Sequence, residues 1–534
     1  MMEIHDYTWI FAVGMVVAFM DAYGIGANDV ANSFATSVSS NSLTLAQACI
    51  VACFTEFLGA VLLGANTAGT IKGGILSPAN YVEQPEMLML AMLCALCGSA
   101  AWVLTACKFG WPVSSTHSIV GAIIGVGIAG FGPSSIFWGW DGVAKIISSW
   151  FISPIVAGLV AAAIYTITKY AILRRVESFK WGIRLVPVYF FFTIAIEAFY
   201  IMLEAPGLGE EALGGMGGVV GVSLGIAAVF AAFCQFFFCP WVVRRVKGRE
   251  YLKWYHMFVI PWLSKRRSIE EVDAEKNAQN HGSIHSTSPN EVLNAGDEKM
   301  NKLDTDGEVI IDEAVAPKES MFNKLKKKAV AGLMNGINQD VRNLENEKLT
   351  DMHANAEIFE DDAEYLFSFL QVITACMASF AHGSNDVSNA VGPISSIYEI
   401  WNSASVSESV GIPVWILVYG GIGIDVGLAT MGYRVMRAMG NNITFFTPSR
   451  GFCAELAAAL TVLTCSKIGL PVSTTLCITG ASAAIGLCNK NGYKAVNWKM
   501  LGFCGLSWVI TLPCAGTVAG LLFAICSNAP HFIK

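Results

Sequence analysis

The sequence predicts an all-α polytopic membrane protein with two related halves, and three observations carry that expectation. Hydrophobic residues make up 54% of the 534-residue chain and charged residues 14%, against roughly a quarter charged in soluble domains. Apolar windows of about 20 residues, long enough to cross the hydrocarbon of a bilayer as a helix, recur about twelve times. Two copies of one polar segment, Gly26-Ala27-Asn28-Asp29-Val30-Ala31-Asn32 and Gly383-Ser384-Asn385-Asp386-Val387-Ser388-Asn389, sit inside such windows 357 positions apart.

In chain order the windows are residues 10–20 (running on toward Asn32), 45–65, 87–107, 113–131, 146–168, 185–203, 219–243, 366–381, 414–431, 453–465, 472–487 and 501–525. No short basic leader precedes the first, so a cleaved signal peptide is not expected. The 15 cysteines are scattered singly through the apolar windows and read as small packing residues.

Composition changes at residues 244–362, where Lys, Arg, Glu, Asp, Asn and Ser dominate; this predicts a long polar loop, largely disordered or loosely helical. It holds most of the net charge of −7. Its entry carries Arg244, Arg245, Lys247, Arg249, Lys253, Lys265, Arg266 and Arg267, which places it in the cytoplasm by the positive-inside bias. The linker with Lys169, Arg174, Arg175, Lys180 and Arg184 belongs on the same side, and the turn with Glu210 and Glu211 on the other. The expected organisation is therefore a first transmembrane repeat (1–168), a basic linker with two connecting helices (169–243), the cytoplasmic loop (244–362) and a second repeat (363–534). The first repeat starts from the acidic, external N-terminus and the second from the end of the loop. Equivalent segments then enter the membrane from opposite faces, the inverted-repeat plan of many carriers.

A second duplication supports this. Val103-Leu104-Thr105-Ala106-Cys107-Lys108-Phe109-Gly110-Trp111-Pro112-Val113-Ser114-Ser115-Thr116 aligns with Val462-Leu463-Thr464-Cys465-Ser466-Lys467-Ile468-Gly469-Leu470-Pro471-Val472-Ser473-Thr474-Thr475, identical at nine of fourteen positions. The Asn-Asp motif precedes its proline by 84 residues in one copy and 86 in the other, which points to an ancestral duplication.

Each motif type suggests a chemistry. Gly110 and Gly469 let the chain turn, Pro112 and Pro471 suit the first position of a helix, and Ser114, Ser115, Thr116 and Ser473, Thr474, Thr475 fall in its first turn. A helix start inside the membrane offers free N–H groups, a partial positive charge and hydroxyl donors, hence an anion site. The competing role for these hydroxyls is back-bonding or helix–helix glue. In the Asn-Asp motifs, Asp29 with Asn28 and Asn32, and Asp386 with Asn385 and Asn389, supply hard oxygen ligands within one helical turn. Gly24, Gly26 and Gly383 would permit a broken helix with freed carbonyls. Such oxygens suit Na⁺ or a proton relay; a plain hydrogen-bond network is the alternative. Glu56 and Glu455 are further intramembrane acids, cation ligands or protonated groups, and not repeat mates. Asp425, Glu197 and Arg450 are weaker cases that snorkelling explains. His117 and His382 are not repeat-related, Leu476 standing in the place of His117, and read as hydrogen-bonding partners.

The residues from Gly26 to Asn32 and from Gly383 to Pro393, both Gly-x-Pro-Val-Ser motifs, and Pro448-Ser449-Arg450-Gly451-Phe452 leading to Glu455 resemble the inorganic phosphate transporter family of sodium:phosphate symporters. The likeness is greatest to fungal plasma-membrane members, whose Gly486-Leu487-Cys488-Asn489-Lys490 and Val496-Asn497-Trp498 stretches it shares. The resemblance implies re-entrant helical hairpins, cation-coupled phosphate uptake and a homodimer. By position it assigns Ser114, Ser115, Thr116, Ser473, Thr474 and Thr475 to phosphate, and Asn28, Asp29, Asn32, Glu56, Asn385, Asp386, Asn389 and Glu455 to cation coupling or the substrate path. Two departures stand out: Ser115 where Thr is common, and Leu476 where a polar residue is frequent.

The expected function is thus Na⁺-coupled import of inorganic phosphate across the plasma membrane by alternating access, with both termini extracellular. No enzyme activity, cofactor beyond the transported Na⁺, or nucleic-acid partner is expected. The alternatives are a proton-coupled phosphate or other oxyanion carrier, sulfate included, and a membrane phosphate sensor with the loop as output.

Overall fold

Hydropathy is a local property, and each of the twelve windows corresponds to a helix in the computed structural model, which describes residues 3–204, 209–271, 347–406 and 411–528. The chain divides into a main unit, residues 1–230 and 331–534, and a smaller unit, residues 231–330. In the main unit the first series of helices is α1 (Thr8–Asp29), α2 (Ala31–Ser39), α3 (Leu45–Gly73), α4 (Pro85–Phe109), α5 (Ser115–Phe131) and α6 (Val143–Thr168). Then come α7 (Ser178–Glu204) and α8 (Met216–Phe233). In the smaller unit a π-helical turn at Cys234–Phe238 leads to α9 (Cys239–Val246). The main unit resumes with α10 (Glu347–Ala354), α11 (Asp361–Ser403), α12 (Val414–Ile443), α13 (Pro448–Lys467), α14 (Thr474–Leu487) and α15 (Trp498–Ser527). No strand occurs among the described residues.

Nine of these helices, α1 and α2 together counting as one, are long and apolar enough to cross a bilayer. Among the described residues the other three apolar helices fall short of a full crossing for physical reasons. Helix α5 has 17 residues and α14 has 14, about 26 and 21 Å at 1.5 Å per residue, short of the ~30 Å hydrocarbon core. The third, α13, carries the buried Arg450 and Glu455.

Ends are set locally. Thr44 and Gln47 form a reciprocal capping box at the start of α3, at 3.2 and 2.9 Å, satisfying two of its free N–H groups. Helix α4 begins on Pro85 and stops at Gly110, whose φ of 69° few other residues adopt.

The two series interlock. A Cβ on Gly26 would lie 1.8 Å from the Ile424 carbonyl oxygen of α12, and one on Gly383 of α11 would lie 2.1 Å from the Glu56 carbonyl oxygen of α3. These glycines therefore serve backbone-to-backbone contact, as small residues do between membrane helices. The broken helix expected there is not seen at Gly383, since α11 runs unbroken for 43 residues through Gly383 and Pro393. In the first copy the interruption falls at Val30, between α1 and α2. Likewise α5 presses on α15, Gly125 against the Gly516 carbonyl, and α14 on α6, Gly480 against the Pro154 carbonyl. The first helix of each series thus packs on the second helix of the other, and the short helix of each on the last helix of the other.

Of the polar segment 244–362, residues 272–346 lie outside the described residues. Within the smaller unit, Arg244 pairs with Glu250 at 2.6 Å and a 3₁₀ helix spans Trp254–Trp262. In the main unit, the stretch after α10 is pinned by charge. Glu357 pairs with Arg174 at 2.7 Å and Lys169 at 2.5 Å, and its carbonyl accepts from Arg450. Arg450 also donates to Tyr165 Oη at 3.1 Å and Asn489 Oδ1 at 2.8 Å. It is fully buried, a correction to its assignment as a snorkelling side chain.

Candidate functional site

Two helix starts define the site. The chain turns at Gly110 and Gly469 (φ 69° and 63°) and enters α5 and α14 at N-caps Ser114 and Ser473. Their hydroxyls accept from His117 N at 3.2 Å and Leu476 N at 3.3 Å. Pro112 and Pro471 therefore stand two residues before the cap rather than at the first helical position, and Ser114 and Ser473 spend an acceptor on capping. Ser115, Thr116, Thr474 and Thr475 occupy the first turns.

Asn28 and Asn385 brace these entries. Asn28 donates to Trp111 O at 2.9 Å and accepts from Val113 N at 3.2 Å; Asn385 donates to Val472 O at 2.7 Å and accepts from Val472 N at 3.3 Å. With amide and oxygen both engaged on backbone, their role here is to hold the turn.

The two series then exchange contacts. Asn32 donates to Thr475 Oγ1 at 2.8 Å and to Thr474 Oγ1 at 3.4 Å. Asn389 donates to Ser115 Oγ at 3.0 Å and to Thr116 Oγ1 at 3.3 Å. Thr116 donates to Val472 O at 3.2 Å, and Thr475 to Val113 O at 3.3 Å. Every one of these contacts maps onto its counterpart when the duplicated segments are interchanged.

Carboxylates face the same hydroxyls. Thr474 donates to Asp386 Oδ2 at 2.9 Å and Thr475 to Asp29 Oδ1 at 3.2 Å. Ligand atoms of Asp29, His382 and Asp386 all lie within 4.8 Å of one another. His382 Nε2 is 2.8 Å from Asp386 Oδ2 and Nδ1 is 2.7 Å from Glu56 Oε2, and Ser379 donates to Glu56 Oε1 at 2.9 Å. Three buried oxygens here have no hydrogen-bond partner: Asp29 Oδ2, Asn32 Oδ1 and Asn389 Oδ1. A concentration of acidic groups and free hard oxygens in a water-poor interior favours a cation.

Glu455 lies elsewhere. Its carboxylate accepts from Thr36 at 2.5 Å, Ser37 at 2.6 Å, Gln371 at 3.2 Å and Thr374 at 2.7 Å, joining α2, α11 and α13. Sequence reasoning undervalued His382; its spacing of four from Asp386, which puts both on one face of α11, was the available signal. His117 stacks on Trp150 at 3.8 Å between ring centroids and lies 2.6 Å from Ser114 Oγ through Nδ1, a buried partner to the cap.

Residues 25–519 match the phosphate transporter family. The chain belongs to that family. It is 34% identical to the phosphate-repressible phosphate permease pho-4 of Neurospora crassa, covering 99% of each chain. It is 30% identical to sodium-dependent phosphate transporter 1 of Mus musculus, over 98% of this chain and 96% of the relative. A solved structure, "The sodium-dependent phosphate transporter", aligns with a TM-score of 0.68 and 25% identity, covering 98% of this chain and 100% of that one. Membership makes this multi-pass membrane protein a transporter and not an enzyme, and it places the duplicated motifs inside a phosphate transporter fold.

Proposed function

We propose that this phosphate transporter family member imports inorganic phosphate across the plasma membrane, coupled to Na⁺, by alternating access. One observation carries the proposal: at the tip of α14 the Thr474 and Thr475 hydroxyls donate to Asp386 and Asp29, while the Ser115 and Thr116 hydroxyls of α5 are held by Asn389 of the same Asn-Asp motif as Asp386. The N–H groups and hydroxyls of Ser115, Thr116, Thr474 and Thr475, held by the caps Ser114 and Ser473, would bind the oxyanion. Beside two carboxylates a phosphate is repelled, so cations at Asp29, Asp386, Asn32 and Asn389 must lower that repulsion before it enters. That requirement makes coupling a consequence of the charge layout. The relatives named as sodium-dependent support Na⁺ as the ion.

In this proposal the two series are inverted repeats, α5 and α14 are the inner arms of re-entrant hairpins, and one repeat rocks against the other around the shared site. Asn28 and Asn385 hold the hairpin entries, and Glu56 acts through His382. Glu455 forms a further acid on the cation path. The polar loop faces the cytoplasm, both termini face outward, and a homodimer follows from the family likeness. A second possibility, proton coupling, is favoured by His382 spanning Glu56 and Asp386, a carboxylate–imidazole chain suited to proton transfer. Uptake of radiolabelled phosphate with Na⁺ replaced by choline, at two pH values, separates the two. Loss of uptake in choline at both pH values supports Na⁺; full uptake in choline driven by acid outside removes it.

A further inference from the structure

Asp21, on α1, is 0% exposed, and neither of its carboxylate oxygens has a hydrogen-bond partner. Among the described residues every other buried acid has at least one: Asp29 has Thr475, Glu56 has Ser379, Glu250 has Arg244, Glu364 has Ser449, Asp386 has Thr474, Glu399 has Lys72, and Glu455 has four donors. Ser99 of α4, also 0% exposed, is the polar side chain beside Asp21. Its hydroxyl is unpartnered too, while its carbonyl accepts from Ser118 of α5 at 3.4 Å. Three orphaned oxygens therefore meet in one sealed place. Cys97 of α4 is the titratable side chain that faces Asp21, and no lysine, arginine or histidine from α4, α11 or α12 does so.

An isolated carboxylate cannot remain ionised in such surroundings without compensation. Ser99 offers at most one hydroxyl to a carboxylate with two open oxygens, and no basic residue faces it. What is left is a bound cation. We propose that Asp21 and Ser99 form a second cation seat, for a proton or Na⁺, separate from the Asp29–Asp386 cluster. A proton needs one carboxylate oxygen; Na⁺ would take both, with the Ser99 hydroxyl as a third hard ligand.

The seat belongs to the transport apparatus by position. Asp21 lies eight residues before Asp29 on the same helix, about 12 Å along its axis. It is seven before Asn28, which puts it on Asn28's face. Asn28 meets Cys107 of α4 at 3.7 Å, eight residues beyond Ser99 on the same seam, and Trp111 O at 2.9 Å. The α1–α4 seam thus carries polar groups at two levels and ends at the entry to α5. Any rocking of α1 that changes access to Asp29 also moves Asp21 against Ser99, and so loads or unloads the seat.

The inference rests on the transport function proposed above, and one experiment separates their failures. Wild-type, D21N and S99A proteins in proteoliposomes are assayed for phosphate uptake, ²²Na⁺ uptake and charge moved per phosphate. D21N should still carry phosphate, with the cations moved per phosphate lower by about one. A fall in ²²Na⁺ per phosphate identifies Na⁺. A lost pH dependence at unchanged ²²Na⁺ identifies a proton. Unchanged charge, Na⁺ and pH behaviour in D21N overturns the seat. Should D21N fail to fold, S99A decides, with a several-fold weaker dependence on the coupling ion expected and wild-type dependence overturning the proposal. Wild-type protein that moves no phosphate defeats the transport function instead.

Discussion

Asn32, in the first half of the chain, donates its amide to the Thr475 hydroxyl in the second at 2.8 Å, and 443 residues of sequence separate them. Asn389 makes the mirrored contact on Thr116. Each Ser/Thr helix tip is thus held by the Asn-Asp motif of the other half of the chain, so in the proposed function the cation and phosphate sites share their walls.

The acids should be indispensable. Asp29→Asn or Asp386→Asn is expected to abolish Na⁺-dependent phosphate uptake while surface labelling shows normal amounts at the membrane. Wild-type transport in both single mutants would remove the cation role.

The shared wall predicts a kinetic signature. Thr475→Val removes a hydroxyl that Asn32 holds and that meets Asp29; KM for phosphate should rise about tenfold, equivalent to ~1.4 kcal/mol. Thr475→Ser should restore it. Combined with Asn32→Ala the loss should be less than additive, as for residues in contact. Strict additivity in the double mutant would contradict the contact.

Gly383→Ala places a methyl 2.1 Å from a backbone oxygen, and backbone cannot turn aside as a side chain can. A loss of about 1–3 kcal/mol is expected, measured as a lower midpoint of thermal unfolding in detergent. Gly225→Ala on α8, with nothing within 4 Å of its added Cβ, is the matched control and should be neutral or slightly stabilising.

Glu357 predicts an acid limb. Its partial burial works upward on its carboxyl, but Lys169 and Arg174 outweigh that and hold it below the usual carboxylate range. A depressed folded value means the stabilisation is complete above the unfolded value and is lost as pH falls through the folded one. Wild-type protein should therefore lose stability in acid, in and below the ordinary carboxylate range, and Glu357→Gln should lose less there. At neutral pH the substitution should cost no more than about 1 kcal/mol, since the pair is partly exposed. Identical acid unfolding curves would show that the pairs do not persist in solution.

From the sequence alone came the all-α membrane fold, the duplication, the helix starts at the Ser/Thr motifs and the anomalous acids Asp29 and Asp386. These are local or repeated features: hydropathy marks a helix wherever it lies, and an acid in an apolar window is anomalous before any neighbour is known. Which side chains meet was decided by packing. His382 looked like a bystander until α11 was seated on α3 through Gly383, which brought Glu56 within 2.7 Å across 326 residues. Glu455 shared a predicted role with Glu56, yet α13 delivers it to Thr36 and Ser37. Asn28 read as a ligand, and the turn at Trp111 and Val113 occupies both ends of its amide. Asp21 drew no notice, because only the fold reveals that α4 offers it a lone serine and no counter-charge. Hydrogen-bond satisfaction depends on what surrounds a group in three dimensions, and glycine-mediated helix contacts between distant segments set those surroundings in this transporter.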